Sequence, residues 1–235
     1  MTTLKLLAVD SSAVSAGAAV FDGEKLVSEC FINAGLTHSR TLMPMVNGAL
    51  SDAGLKIEDI DCFAVSKGPG SFTGVRIGVA AVKGLAFPGD KPCAGVSTLE
   101  AMAYNFTDEE CTVCALMDAR RSQVYTALFS VSAGKVTRLS EDGAKSIEEV
   151  VSEISVIKGR IYLCGDGSKL HSETLKAANP AVILPAENRR YQRAYGVALA
   201  AIANGDFASP ALLEPAYVRP SQAERELRIK KEDIQ

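Results

Sequence analysis

Short apolar runs of strand length alternate along this chain with stretches where apolar residues recur every three or four positions. Residues 4–9 form a run of the first kind and residues 16–21 another. Asp22-Gly23 after it signals a hairpin that returns over residues 26–32. Leu42, Met45, Val46, Ala49, Leu50 and Ala53 then follow the i, i+3, i+4, i+7 spacing of a one-faced helix, with Ser39 or Thr41 as the expected cap and Gly54 as the stop. Residues 62–65 predict a buried strand running into Gly68-Pro69-Gly70-Ser71. A helix rich in small residues is expected over 73–87 and a strand over 92–96. Ser97 and Glu100 have the spacing of a capping box for a helix reaching Tyr104.

The order then recurs. Residues 112–117 and 123–131 predict strands, and Gly134 marks a turn into 136–139. Ser146 and Glu149 form a second capping-box pattern, with Ile147, Val150, Val151 and Ile154 on one helical face. A strand over 160–164 ends at Gly165-Asp166-Gly167. A helix to about 178, a strand over 182–184 and a helix over 195–204 complete the pattern. Both halves read β-β-β-α-β-α, and both first strands end in an aspartate, Asp10 and Asp118. The residues themselves hardly match, so the repeat is one of architecture. Three antiparallel strands followed by alternating helices and strands imply an α/β protein with mixed sheets covered on both faces. The duplication points to the ribonuclease-H-like fold shared by actin, hexokinase and Hsp70. Expected domains are 1–108, completed by the helix at 193–205, then 109–192, and an extended tail over 206–235.

The chain has 235 residues, 47% apolar and 23% charged, which excludes disorder and coiled coil. Twenty-five basic residues against 28 acidic ones lack the basic excess of a dedicated nucleic-acid binder. No stretch has the length of a signal h-region with a cleavage site, or of a bilayer span. The six cysteines sit mostly inside apolar runs, as reduced buried thiols do, so the cytoplasm is expected. Residues 221–235 carry eight charges, four of each sign, and are expected to be a solvated, partly ordered tail.

The densest chemistry lies in Gly68-Pro69-Gly70-Ser71-Phe72-Thr73-Gly74-Val75-Arg76-Ile77-Gly78. Glycines at a strand-to-helix turn can present N–H groups to a phosphate, but no Gly-Lys-Ser/Thr follows. Close packing of the helix through Gly74, Gly78 and Gly84 is the stronger reading. Asp10, Ser11 and Ser12 occupy the turn that wraps phosphate in this fold group, with serine where glycine is usual. Asp118-Ala119-Arg120-Arg121 is the matching turn of the second half. Gly165, Asp166 and Gly167 fit the place of adenosine-contacting glycines. Together they describe a vestigial nucleotide site with no bound cofactor expected. Cys111 and Cys114 match CxxC, but an offset of three puts them on opposite faces of a strand. With no second pair they form no four-ligand zinc site. His38 and His171 are the only histidines, and no Gly-x-Ser-x-Gly elbow supports a catalytic triad. Arg189, Arg190 and Arg193 around Tyr191 are candidates for RNA backbone contact, read in preference as a solvated loop.

These residues together resemble the bacterial TsaB (YeaZ) family of tRNA threonylcarbamoyladenosine biosynthesis proteins. The resemblance spans nearly the whole chain. It is carried by Leu7-Ala8-Val9-Asp10-Ser11-Ser12, His38-Ser39, the run from Gly68 to Gly78 with Lys83-Gly84-Leu85-Ala86, and Gly95-Val96-Ser97-Thr98-Leu99-Glu100-Ala101. Met117-Asp118-Ala119-Arg120-Arg121, Val124-Tyr125, Gly165-Asp166-Gly167 and Pro215-Ala216-Tyr217-Val218-Arg219 complete it. The catalytic paralogue, TsaD, carries His-x-x-x-His where this chain has Thr98 and Met102, so the resemblance implies no metal centre. It also implies a non-catalytic scaffold that works with a TsaD-type partner and a TsaE-type ATPase, and meets tRNA only within that complex. First-domain helices are the implied contact, with Leu42, Met43, Met45, Val46, Gly74, Val75 and Gly78 as candidate interface residues. A symmetric homodimer is expected through the same helices when the chain is alone. On that expectation a charge at Met45 or Val75 disrupts both assemblies. A self-sufficient ATP-dependent small-molecule kinase of the same fold is the alternative function, and a metallopeptidase is disfavoured by the missing histidine pair.

Overall fold

A computed structural model describes residues 3–120 and 122–219. Strands β1 (Lys5–Asp10), β2 (Ala16–Asp22) and β3 (Lys25–Ile32) are followed by α1 (His38–Asp52), β4 (Cys62–Gly68), α2 (Phe72–Ala86), β5 (Cys93–Ser97) and α3 (Thr98–Ala103). The second half runs β6 (Cys111–Asp118), β7 (Gln123–Ser132), β8 (Lys135–Arg138), β9 (Gly143–Ser146), α4 (Ile147–Ser155), β10 (Ile161–Cys164), α5 (Ser168–Ala178) and β11 (Val182–Ile183). Then come α6 (Glu187–Arg190) and α7 (Ala194–Asn204). The sheets order as β3-β2-β1-β4-β5 and β8-β7-β6-β10-β11, with β9 also on β7. In each half the first strand is antiparallel to the second and parallel to the strand that follows the first long helix, β4 or β10. Two such halves make a duplicated ribonuclease-H-like fold.

The period of two along each strand sorts residues between layers. In β1, Leu7 and Val9 face a core shared with α1 and α2, while Leu6 and Ala8 face one shared with α7. In β6, Val113, Ala115 and Met117 pack with Leu99, Met102 and Phe106 on the α3 side. Cys114 and Leu116 pack against the α4 and α5 side. Helix α3 therefore lies between the sheets, with Ala101 in one core and Leu99 and Met102 in the other. Helix α7 closes on it through Gly196, where a Cβ would sit 2.1 Å from the Ala101 carbonyl oxygen. Among the described residues no helix is long and apolar enough to cross a membrane.

Some local expectations are corrected. Helix α1 starts at His38 after an N-cap Thr37 whose side chain makes no capping bond. The Ser146/Glu149 capping box is complete. The Ser97/Glu100 box is half made: Ser97 Oγ accepts from the Glu100 N–H at 3.2 Å, but the Glu100 carboxylate turns to Arg138 and Asn204. Strand β9 has no signal in the sequence, since Gly-Ala-Lys-Ser lacks a strand signature. It forms because β8 pairs only with Phe129–Ser132 and leaves Gln123–Thr126 of β7 open on the same side.

The extended segment after α7 is a docked strap as far as Arg219. The Ala208 and Cys93 backbones exchange hydrogen bonds of 2.8 and 3.0 Å, and Leu213 is buried in the α1/α2 core. Lys83 Nζ donates to the Ala211 and Leu213 carbonyls at 3.3 and 3.1 Å, and the Ala216 N–H donates to the Lys67 carbonyl at 2.6 Å. The tail expected over 221–235 lies outside the described residues.

Candidate functional site

The hairpin after β1 turns into the space between the two halves, and its buried polar groups hold it there. Asp10 is fully buried. It accepts from the Ser12 N–H and hydroxyl, both at 2.9 Å, and from the Ser66 hydroxyl on β4. Ser11 donates its hydroxyl to the Gly74 carbonyl at 2.8 Å, and His38 Nε2 lies 2.5 Å from the Ala13 carbonyl oxygen. The glycine-rich run closes on this turn. A Cβ at Gly70 would lie 2.3 Å from the Ser12 carbonyl oxygen, and one at Gly74 2.1 Å from that of Ser11. The Ser71 N–H donates to the Ser12 carbonyl at 2.7 Å. At Gly68, where φ is +121°, a Cβ would lie 2.2 Å from the strap's Ala216 carbonyl oxygen. Peptide oxygens of the chain itself thus occupy this loop, which supports close packing over a phosphate cradle. Gly84 is the exception: a Cβ there meets nothing within 4 Å.

The second half supplies the opposite wall. Gly165 and Gly167 pack their backbones on β6, where Cβ atoms would lie 2.0 and 3.2 Å from the Leu116 carbonyl oxygen. Their N–H groups are engaged by the Arg190 and Leu116 carbonyls at 2.5 and 3.1 Å. Of the candidate nucleotide residues, the structure brings Ser12, Asp118 and Asp166 to a cleft of about 480 Å³. Asp10, Ser11, Gly165 and Gly167 lie behind its walls. Phe72, Arg120, Tyr125, Tyr217 and Arg219 also line the cleft. The strap residues among them were legible in sequence only through the family motif, because nothing local marks residue 217 as a neighbour of residue 72.

Burial raises the Asp10 carboxyl above its usual range, against the pull of the three hydrogen bonds. Burial also raises Asp166, and the nearby Asp118 carboxylate adds to the shift. The sign for stability follows. Between the ordinary aspartate value, about 3.9, and the raised folded value, the folded chain binds more protons than the unfolded one. Stability therefore falls as pH rises through that window. Asp10→Asn should remove the Asp10 share of this slope while Ser66 and Ser12 rotate to pair with the amide. Chemical denaturation from pH 4 to pH 7 checks it; an unchanged slope in the variant would show that Asp10 does not titrate there.

The candidate interface residues divide sharply. Leu42, Met45, Val46 and Val75 belong to the core between α1, α2 and the first sheet, and Gly74 and Gly78 press on Ser11. Six of the seven are therefore internal, because a helix on a sheet must bury one face; Met43 alone is exposed. The exposed positions of α2 are instead Thr73, Arg76, Ala80 and Gly84.

Other candidates resolve simply. Cys111 and Cys114 point to opposite sides of β6, and burial pushes their thiols up to about 11 and about 12. Arg189 pairs with Asp108 and Glu109, and Arg193 with Glu29, so these arginines are internal clasps rather than a solvated loop. Thr98 and Met102 are fully buried on α3. Among the described residues no three His, Cys, Asp or Glu side chains are grouped to hold a metal ion.

Comparison with known proteins adds four findings. Residues 33–205 match the family described as TsaD: tRNA N6-adenosine threonylcarbamoyltransferase. The tRNA threonylcarbamoyladenosine biosynthesis protein TsaB of Bacillus subtilis is 31% identical over 173 residues, 74% of this chain and 76% of that one. The protein of that name from Escherichia coli is 29% identical over 95% of this chain and 98% of its own. The crystal structure of an uncharacterized Pseudomonas aeruginosa protein with similarity to peptidase YeaZ superposes with a TM-score of 0.77 at 27% identity. It covers 92% of this chain and all of that one.

Proposed function

The chain belongs to the TsaB (YeaZ) family of tRNA threonylcarbamoyladenosine biosynthesis proteins, and from that membership we propose that it is the non-catalytic scaffold of the modifying complex. It docks a TsaD-type catalytic partner on the outward face of α2, with the exposed Met43 of α1 as a further candidate contact. A TsaE-type ATPase joins the assembly, and tRNA is met only there. Gly84 is the observation that carries this reading. A glycine inside a helix costs about 1 kcal/mol relative to alanine. Gly84 has no positive φ, and beyond its own stretch of helix no atom lies within 4 Å of a Cβ placed there. With Thr73 and Ala80 it forms a face of small side chains at helical spacing, across which a second helix can cross at short interaxial distance.

The rival kinase reading needs N–H groups free for a triphosphate. The N–H groups of Ser71, Gly74, Gly165 and Gly167 are engaged internally, which counts against it. Reconstitution separates the two. With tRNA, the TsaD-type partner and the ATPase, modification should require this chain. The chain alone should show no low-micromolar binding of magnesium–ATP by calorimetry. Modification at full rate without the chain would overturn the scaffold reading.

A further inference from the structure

Resting on that reading, we infer that residues 206–219 are a strap that sets the first turns of α2 for the partner, with Tyr217 as the positioning residue. Tyr217 stacks on Phe72 with ring centroids 4.5 Å apart and planes at 24°. The Arg76 guanidinium lies 3.9 Å from the centre of the Phe72 ring, and its Nε donates to the Tyr217 hydroxyl at 2.8 Å. One strap residue thus holds two side chains a helical turn apart. Below it the Ala216 backbone is seated on Gly68, and at the far end of α2 the Lys83 ammonium holds the strap again. At about 100° per residue, Phe72, Arg76 and Lys83 fall within roughly 40° of arc. Thr73, Ala80 and Gly84 fall within roughly the same width, about 80° further round. The strap borders the open face without covering it.

A helix terminus frays unless something outside the helix holds it. The first turn of α2 has no acidic residue to oppose its dipole, and one serine cap. The stacked Tyr217 supplies the missing constraint. A partner helix crossing Thr73 and Gly84 then meets a surface already ordered, which lowers the cost of association.

Tyr217 is 42% exposed, so its removal opens no core cavity. Tyr217→Ala should weaken partner binding about tenfold, or about 1.4 kcal/mol, and speed amide exchange over residues 72–76. Tyr217→Phe keeps the stack and should bind within about threefold of wild type. Ser146→Ala, which breaks the α4 capping box in the second half, should lower thermal stability and leave affinity unchanged. In the wild-type chain the Ala216 amide should be protected from exchange. The inference falls if Tyr217→Ala binds as wild type, if Ser146→Ala weakens binding as much, or if Ala216 exchanges freely. Gly84→Arg, on the open face itself, distinguishes the failures. If it abolishes binding while Tyr217→Ala does not, only the strap inference fails; if neither matters, the interface reading has failed.

Discussion

Alanine at position 74 should destabilise the chain by about 3 kcal/mol or more, while alanine at position 84 of the same helix should stabilise it by about 1 kcal/mol. The substitution is identical, so the difference is one of surroundings. The new methyl at position 74 would sit 2.1 Å from the Ser11 carbonyl oxygen. That oxygen cannot retreat freely. The Ser11 hydroxyl is bonded back to the Gly74 carbonyl, and the turn is held by Asp10, Ser12 and Ser66. Either α2 lifts from the sheet, losing the burial of Val75 and Val79, or the turn leaves Asp10 without its donors. At position 84 the methyl meets nothing, and the gain is the conformational entropy that glycine loses on entering a helix. Denaturant midpoints for both variants check this. Equal effects would mean that the packing of α2 on the hairpin does not restrict position 74.

Gly84→Arg should weaken association with the TsaD-type partner more than about 100-fold, equivalent to about 2.7 kcal/mol, while leaving the fold intact. The side chain has open space in the isolated chain and a better helix propensity than glycine. In the complex it would stand where a second backbone must come close, with a charge among apolar groups. If the isolated chain dimerises symmetrically through the same face, the variant should also be monomeric, as read by sedimentation. A charge at Met45 or Val75 cannot serve as this test. Both are buried in the core, and such a change would unfold the first half instead of probing its surface. Wild-type affinity in a folded Gly84→Arg chain would place the interface elsewhere.

Most elements of this fold are written in periodicity. The alternation in β1 and β6, the spacing from Leu42 to Ala53 and the Ser146/Glu149 pair are local patterns, and the structure uses each of them. The repeat was legible for the same reason, since it is an order of elements and not of residues. Helix faces were less legible. The i, i+4 pattern that marks Leu42, Met45 and Val46 as apolar cannot say whether an apolar face meets its own sheet or another protein. The sheet took it, and the partner surface proposed here rests on small residues that carry no hydrophobic signal.

Chain-local chemistry thus determined the strands, the helices and the family motifs, because hydrophobic period, turn residues and caps act over a few positions. Tertiary structure alone decided what the glycines and aspartates are for. Gly68 answers to Ala216, Gly74 to Ser11 and Gly165 to Leu116, contacts between backbones distant in sequence. Asp10 became a buried pin for the hairpin because Ser66 arrives from β4. Tyr217 became a neighbour of Phe72 only when the strap returned across α2. Steric exclusion and desolvation depend on which atoms meet in space, and a one-dimensional pattern does not specify those meetings.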